Sequence, residues 1–125
     1  MKNLDEYTKR VKTEAAPKLL MRLLALRFLI MPSIALAKYR CKLEITDRER
    51  EMALLRKVKK YDTLKRLYKS VFQESRKAQK TAVALIKTKK LASSDIVQMS
   101  VNEARYYIDC IDALILALWK LMIHK

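Results

Sequence analysis

The sequence predicts an all-α protein, and three observations carry that prediction. The chain has no glycine among its 125 residues and only two prolines, Pro17 and Pro32. Hairpin turns and phosphate-cradling loops depend on glycine for positive φ, so β-hairpin architectures and the Rossmann and P-loop fingerprints are excluded. Leu, Ala, Lys and Arg, all strong helix formers, are abundant. Near the C-terminus, Ile108, Ile111, Ile115, Leu118 and Met122 recur at the three- and four-residue spacing of a core helix. Residues 1–125 are expected to form a single domain, long enough to bury a core.

The elements follow in order. Residues 1–16 are polar and weakly periodic. Pro17 suits the first turn of a helix, where its missing N–H costs nothing, and a long helix is expected from there to about Cys41. Pro32 falls inside it, predicting a kink near Phe28–Met31. Lys42–Thr46 reads as a short connection. Thr46 with Glu49 forms a capping box that starts a second helix, with Met52, Leu55 and Val58 on its apolar face and an end near Lys59–Tyr61. Asp62 or Thr63 caps a third helix, through Leu67, Val71, Ala78, Ala82 and Leu85 to about Lys90; one continuous bent helix through Tyr61 is the alternative. Leu91–Asp95 is the clearest linker, and a second capping box, Ser100 with Glu103, opens the final helix. The whole is a bundle of about four helices with a long, kinked first helix.

The formal net charge of +15 suits nucleic acid, an anionic membrane surface or a small polyanionic substrate. No compact basic run with interleaved aromatics marks a nucleic-acid stripe. Two cysteines, Cys41 and Cys110, are too few for a disulfide framework, although one bridge between them is open. With His124 the lone histidine, neither a zinc site nor a His-based triad is expected. The apolar runs Lys18–Ala37 and Tyr106–Ile123 carry Arg22, Arg27 and Pro32, and Asp109, Asp112 and Lys120, which oppose membrane insertion. The polar start MKNLDEYTKR is unlike a signal peptide, so a cytoplasmic location is expected.

The chemistry concentrates between Arg27 and Glu51. Lys38 lies eleven residues after Arg27, which returns it to within about 20° of the same helical face. That face is otherwise Leu, Ile and Ala, and cations buried there without a partner are costly. The bland reading is two snorkelling side chains; the sharper one is an anion that meets them. Asp47, Arg50 and Glu51 follow at i, i+3, i+4 spacing. Ser75 and Gln79 share a face of the third helix. Asp109 and Asp112 sit in the apolar final helix, with Arg105 a local partner for Asp109 by spacing.

Read together, Arg27, Lys38, the D-x-x-R-E of Asp47, Arg50 and Glu51, and the S-x3-Q of Ser75 and Gln79 resemble the all-helical AroQ-class chorismate mutases. The text VFQESRKAQ is similar to that family's third helix, and the likeness covers roughly residues 20–80. In dimeric members an arginine in a pattern like R-x2-I-D-x-I-D crosses into the partner's site. Here that pattern stands at the far end as Arg105, Ile108, Asp109, Ile111 and Asp112, which resembles the AroQγ-type monomers. Arg10, seventeen residues before Arg27, is the competing arginine; Pro17 and the missing I-D-x-I-D there favour Arg105. AroQγ-type proteins are usually exported, so a mature form without its signal peptide is the alternative location.

The resemblance implies the rearrangement of chorismate to prephenate, a unimolecular step without covalent or acid–base chemistry. An enzyme for it holds a flexible dicarboxylate compactly and stabilises charge on the breaking ether oxygen. It implies Arg27 and Arg105 on the carboxylates, Lys38 and Gln79 as donors to the ether oxygen, and Glu51, helped by Asp47, accepting from the substrate hydroxyl. Arg50 orients charged groups and Ser75 adds a polar contact. No cofactor, metal or membrane partner is implied, nucleic acid is disfavoured, and the oligomer is a monomer or homodimer. Two alternatives stand beside it: an isochorismate pyruvate lyase of the same fold, and a non-enzymatic basic helical nucleic-acid binder.

Overall fold

A computed structural model describes residues 2–123 of the chain; His124 lies outside them. Among the described residues the fold is an all-α bundle. Four rods compose it. The first joins α1 (Lys2–Arg10), a π-helical turn at Val11–Ala15, α2 (Ala16–Leu29) and α3 (Met31–Arg40). The others are α4 (Arg48–Lys57), α5 (Asp62–Lys87) and α6 (Val101–Ile123).

The first rod begins earlier than Pro17. Proline supplies no N–H to the Thr13 carbonyl, and the helix absorbs this by widening: the Ala16 N–H bonds Val11 O, an i→i−5 contact. The helix therefore runs through Pro17, and residues 3–10 form an exposed extension of it. Pro32 acts as expected. It leaves the Phe28 carbonyl without its i+4 donor, and the helix is interrupted at Ile30, whose N–H turns back to Leu26 O and Phe28 O. Within Asn3–Arg40 one stretch is long and apolar enough to cross a membrane by length and composition; in the bundle its buried side chains are core.

Capping differs between helices. The Thr46–Glu49 box does not form: Asp47 occupies the N-cap with no side-chain cap bond, because its carboxylate is engaged by arginines instead. Neither Asp62 nor Thr63 caps α5, whose N-cap is Tyr61; Asp62 pairs with Arg66 at 2.6 Å. The Ser100–Glu103 box does form, with Glu103 N–H to Ser100 Oγ at 3.0 Å and Ser100 N–H to Glu103 Oε1 at 3.1 Å. On α4, Met52 is exposed and Leu54 and Leu55 are half-buried, packed against the core.

Two helix ends explain how a glycine-free chain turns. Lys42 and Lys89 adopt φ of 57° and 59°. Leu43 N–H bonds Lys38 O and Lys42 N–H bonds Tyr39 O; Lys90 N–H bonds Leu85 O and Lys89 N–H bonds Ile86 O. Both are Schellman motifs, with lysine in the left-handed position that glycine normally takes.

Cross-links between rods give their directions. Ser75 meets Arg27, Gln79 meets Met31 and Lys87 lies over Tyr39, so α5 runs parallel to the first rod. Asp112 meets Arg27 and Gln98 meets Arg40, so the chain from Gln98 through α6 runs antiparallel to it. The main core joins Leu20, Leu23 and Leu24 to Leu64, Tyr68, Val71 and Phe72 and to Ile111 and Ile115. A second cluster joins Met31 and Ile34 to Ala104 and Ile108. Arg27 falls in sequence between the leucines of the first and Met31 of the second. Cys41 and Cys110 are free thiols, the former exposed.

Candidate active site

A cavity of about 520 Å³ opens between α4 and α6, floored by the first rod and α5. That is within the size range of small-molecule sites. Arg27, Lys38, Asp47, Arg50, Glu51, Ser75, Gln79 and Arg105 all line it. The residues singled out by spacing therefore come together from four separate rods. Arg10 is exposed on α1 and does not line the cavity.

Helical periodicity explains the convergence. Arg27 and Lys38 share a face despite the interruption at Ile30, and each is only about 5–6% exposed. Ser75 and Gln79, one turn apart, are equally buried beneath them. Asp47, Arg50 and Glu51 come from the first turn of α4 and its N-cap. Arg105 reaches in from the second turn of α6.

Each arginine in this wall has an acidic or polar partner. Asp112 grips Arg27 through Nε at 2.9 Å and Nη2 at 3.2 Å, and Ser75 Oγ accepts from its Nη1 at 3.3 Å. Tyr68 donates to Asp112 at 2.8 Å, and the rings of Tyr68 and Phe72 lie 5.9 and 5.7 Å from the guanidinium carbon. Burial, with Asp112 beside it, pushes the Tyr68 hydroxyl far above its ordinary range, so it stays a donor. Arg105 bonds Asp47 at 3.0 Å. Arg50 bonds Asp109 at 2.5 Å and sits 3.7 Å from Asp47. Asp109 thus pairs across the cavity mouth with Arg50, not locally with Arg105, because the parallel run of α4 beside α6 brings Arg50 over it. Glu51 bonds Arg76 at 2.6 Å.

Lys38 differs. Its ammonium donates to the Ile45 carbonyl at 2.6 Å, and no carboxylate lies within ion-pair distance among the described residues. Burial holds its pKa below the ordinary 10.5, partly opposed by the charges of Asp47 and Glu51. Among the described residues, two of its three donors have no partner.

Two buried side-chain atoms have no hydrogen-bond partner among the described residues: Nε of Arg105 and Oε1 of Gln79. Both residues line this one cavity. The Gln79 amide is anchored only through its nitrogen, 3.6 Å from the Met31 sulfur. Buried polar groups are normally satisfied, so this pair marks where a ligand's polar atoms belong. Seven Lys/Arg against four Asp/Glu line the cavity, which leaves it positive and suited to an anion. Among the described residues no group of three or more His, Cys, Asp and Glu could hold a metal.

Sequence reasoning missed Arg76, Tyr68, Lys57 and Lys120. Nothing in the local text distinguishes Arg76 from the other surface cations. Asp112 carried a visible signal, an acid inside an apolar helix, but its partner is 85 residues away. Comparison with protein-family models, curated proteins and solved structures finds no match.

Proposed function

We infer that the chain is a chorismate mutase of the AroQ type, rearranging chorismate to prephenate. The observation that carries this reading is the unsatisfied, buried Nε–H of Arg105 in a cationic cavity that also holds the Lys38 ammonium. Arg105 offers an N–H to a carboxylate. Arg27, held by its Nε edge on Asp112, offers a pre-aligned guanidinium for the second carboxylate. Lys38 donates to the ether oxygen, where charge grows as the bond breaks, and Gln79 joins it through Nε2, whose one contact is the Met31 sulfur at 3.6 Å; its free Oε1 is left to accept from the substrate. Glu51, anchored by Arg76, accepts from the substrate hydroxyl, with Asp47 beside it. Arg50 orients the charged groups and Ser75 positions Arg27.

Because Asp47 and Asp112 already hold the arginines, the forks are oriented before substrate arrives, which lowers the entropy cost of binding. The excess positive charge outside the cavity steers a dianion toward it.

The test is the loss of chorismate absorbance with purified protein, repeated with isochorismate. Wild type consumes chorismate; Arg27→Ala abolishes turnover, and Lys38→Ala lowers it by roughly 10²–10³, the scale for losing one donor aimed at developing charge. Near-full turnover in a helical Lys38→Ala variant would sink the mechanism. Consumption of isochorismate alone would reassign the chain to pyruvate lysis.

A further inference from the structure

The cavity is longer than the polar constellation requires. Its lining on α6 extends from Val101 to Lys120, about 28 Å of helix at 1.5 Å per residue. On α4 it extends from Asp47 to Lys57, about 15 Å. Asp47 meets Arg105 and Arg50 meets Asp109, so the two helices run parallel and both linings change character together. The polar end holds the proposed site. Beyond Glu51 and Asp112 the lining becomes apolar: Leu54, Phe72 and Leu116, with room left by the small side chains of Ala53, Ala113 and Ala117.

Lys57 and Lys120 close that far end, in the last turns of α4 and α6. Helical side chains lean toward the N-terminus, so both lysines lie back over the apolar lobe. All four carboxylates lining the cavity are engaged by arginines, and none lies within ion-pair distance of Lys57 or Lys120. The lobe thus combines an aromatic and aliphatic floor with two cations at its rim that have no ion-pair partner among the described residues.

We propose that this apolar end is a second subsite, which takes a hydrophobic monocarboxylate with its ring against Leu54, Phe72 and Leu116 and its carboxylate on Lys57 and Lys120. The lobe is too apolar for a dicarboxylate and too cationic to favour a neutral hydrocarbon. A compact dicarboxylate at the polar end does not reach these lysines, so both subsites are filled at once. The subsite stands on the lining alone and is independent of the reaction assigned to the polar end.

Calorimetric titration of the full chain with 2-naphthoate tests it. One equivalent binds, and neutral 2-naphthamide binds at least tenfold more weakly. The double variant Lys57→Gln/Lys120→Gln, both positions exposed, keeps its helical circular dichroism and loses at least tenfold in naphthoate affinity. Ala117→Phe fills the lobe and abolishes binding. Lys38→Gln, at the polar end, leaves naphthoate affinity within twofold. Naphthoate binding that survives the double lysine variant, or that disappears with Lys38→Gln instead, overturns the subsite. Absence of naphthoate binding does the same, whether or not chorismate is consumed.

Discussion

At the scale of single residues, the lysines at positions 42 and 89 carry a cost that a glycine would remove. A non-glycine residue in the left-handed region gives up about 1 kcal/mol or more. Lys42→Gly and Lys89→Gly are each expected to stabilise the fold by roughly 1 kcal/mol, read as a higher denaturant midpoint with unchanged slope. Lys38 makes a second residue-scale prediction. Its pKa is lowered by burial, so in the donor role proposed above it loses its proton below the pH of an ordinary lysine. The alkaline limb of the rate profile should fall below pH 10.5 and vanish in Lys38→Gln. The same shift acts on stability with the opposite sense: the folded chain binds fewer protons there, so this contribution rises with pH between the lowered value and the ordinary one. Of these features, the position of Lys38 was legible from helical spacing. Its depressed pKa was not, because burial depends on which rods cover it.

At the scale of elements, two capping boxes with the same sequence logic met different fates. Ser100 and Glu103 bond each other's backbone as the pattern demands, while Thr46 and Glu49 do not. The difference lies in what the neighbouring residue is asked to do. Asp47 is drawn to Arg105 and Arg50, and it takes the N-cap position one residue beyond Thr46. Ser100→Ala is therefore expected to cost about 1 kcal/mol, and Thr46→Ala almost nothing, a contrast that thermal melts of the two variants would measure. The prolines show the same divide. Pro32 interrupts the helix as its chemistry predicts, but Pro17 is absorbed by a π-helical turn, since a long helix continuing on both sides makes a local widening cheaper than a stop.

At the scale of the whole molecule, the Arg27–Asp112 pair joins the first rod to α6, at 2.9 Å, with Tyr68 of α5 as a third member. Both charges are almost fully buried, so removing one strands the other. Asp112→Ala should destabilise the protein by about 3–5 kcal/mol. Arg27→Met/Asp112→Leu, which removes both charges, should recover most of that loss while staying inactive toward chorismate. Unfolding of wild type, Arg27→Met, Asp112→Leu and the double variant in denaturant, compared as a double-mutant cycle, isolates the pair's contribution. Recovery of stability without activity would place the pair's value in the site, not in holding the bundle.

The all-helical class was determined by the sequence alone, because the missing glycine and the three- and four-residue apolar spacing are local properties. Arg27, Lys38, Asp47, Arg50, Glu51, Ser75, Gln79 and Arg105, which line the cavity, were also legible from their spacing, whereas Arg76, Lys57 and Lys120 were not. Tertiary structure decided which charge meets which. Asp109 chose Arg50 over Arg105, Glu51 found Arg76, and Arg27 found Asp112, because ion pairing depends on the direction of neighbouring rods and falls off within a few ångströms. It also decided that the cavity continues past its polar end to Lys57 and Lys120. No local pattern marks that lobe; it exists only because α4 and α6 run side by side in the same direction.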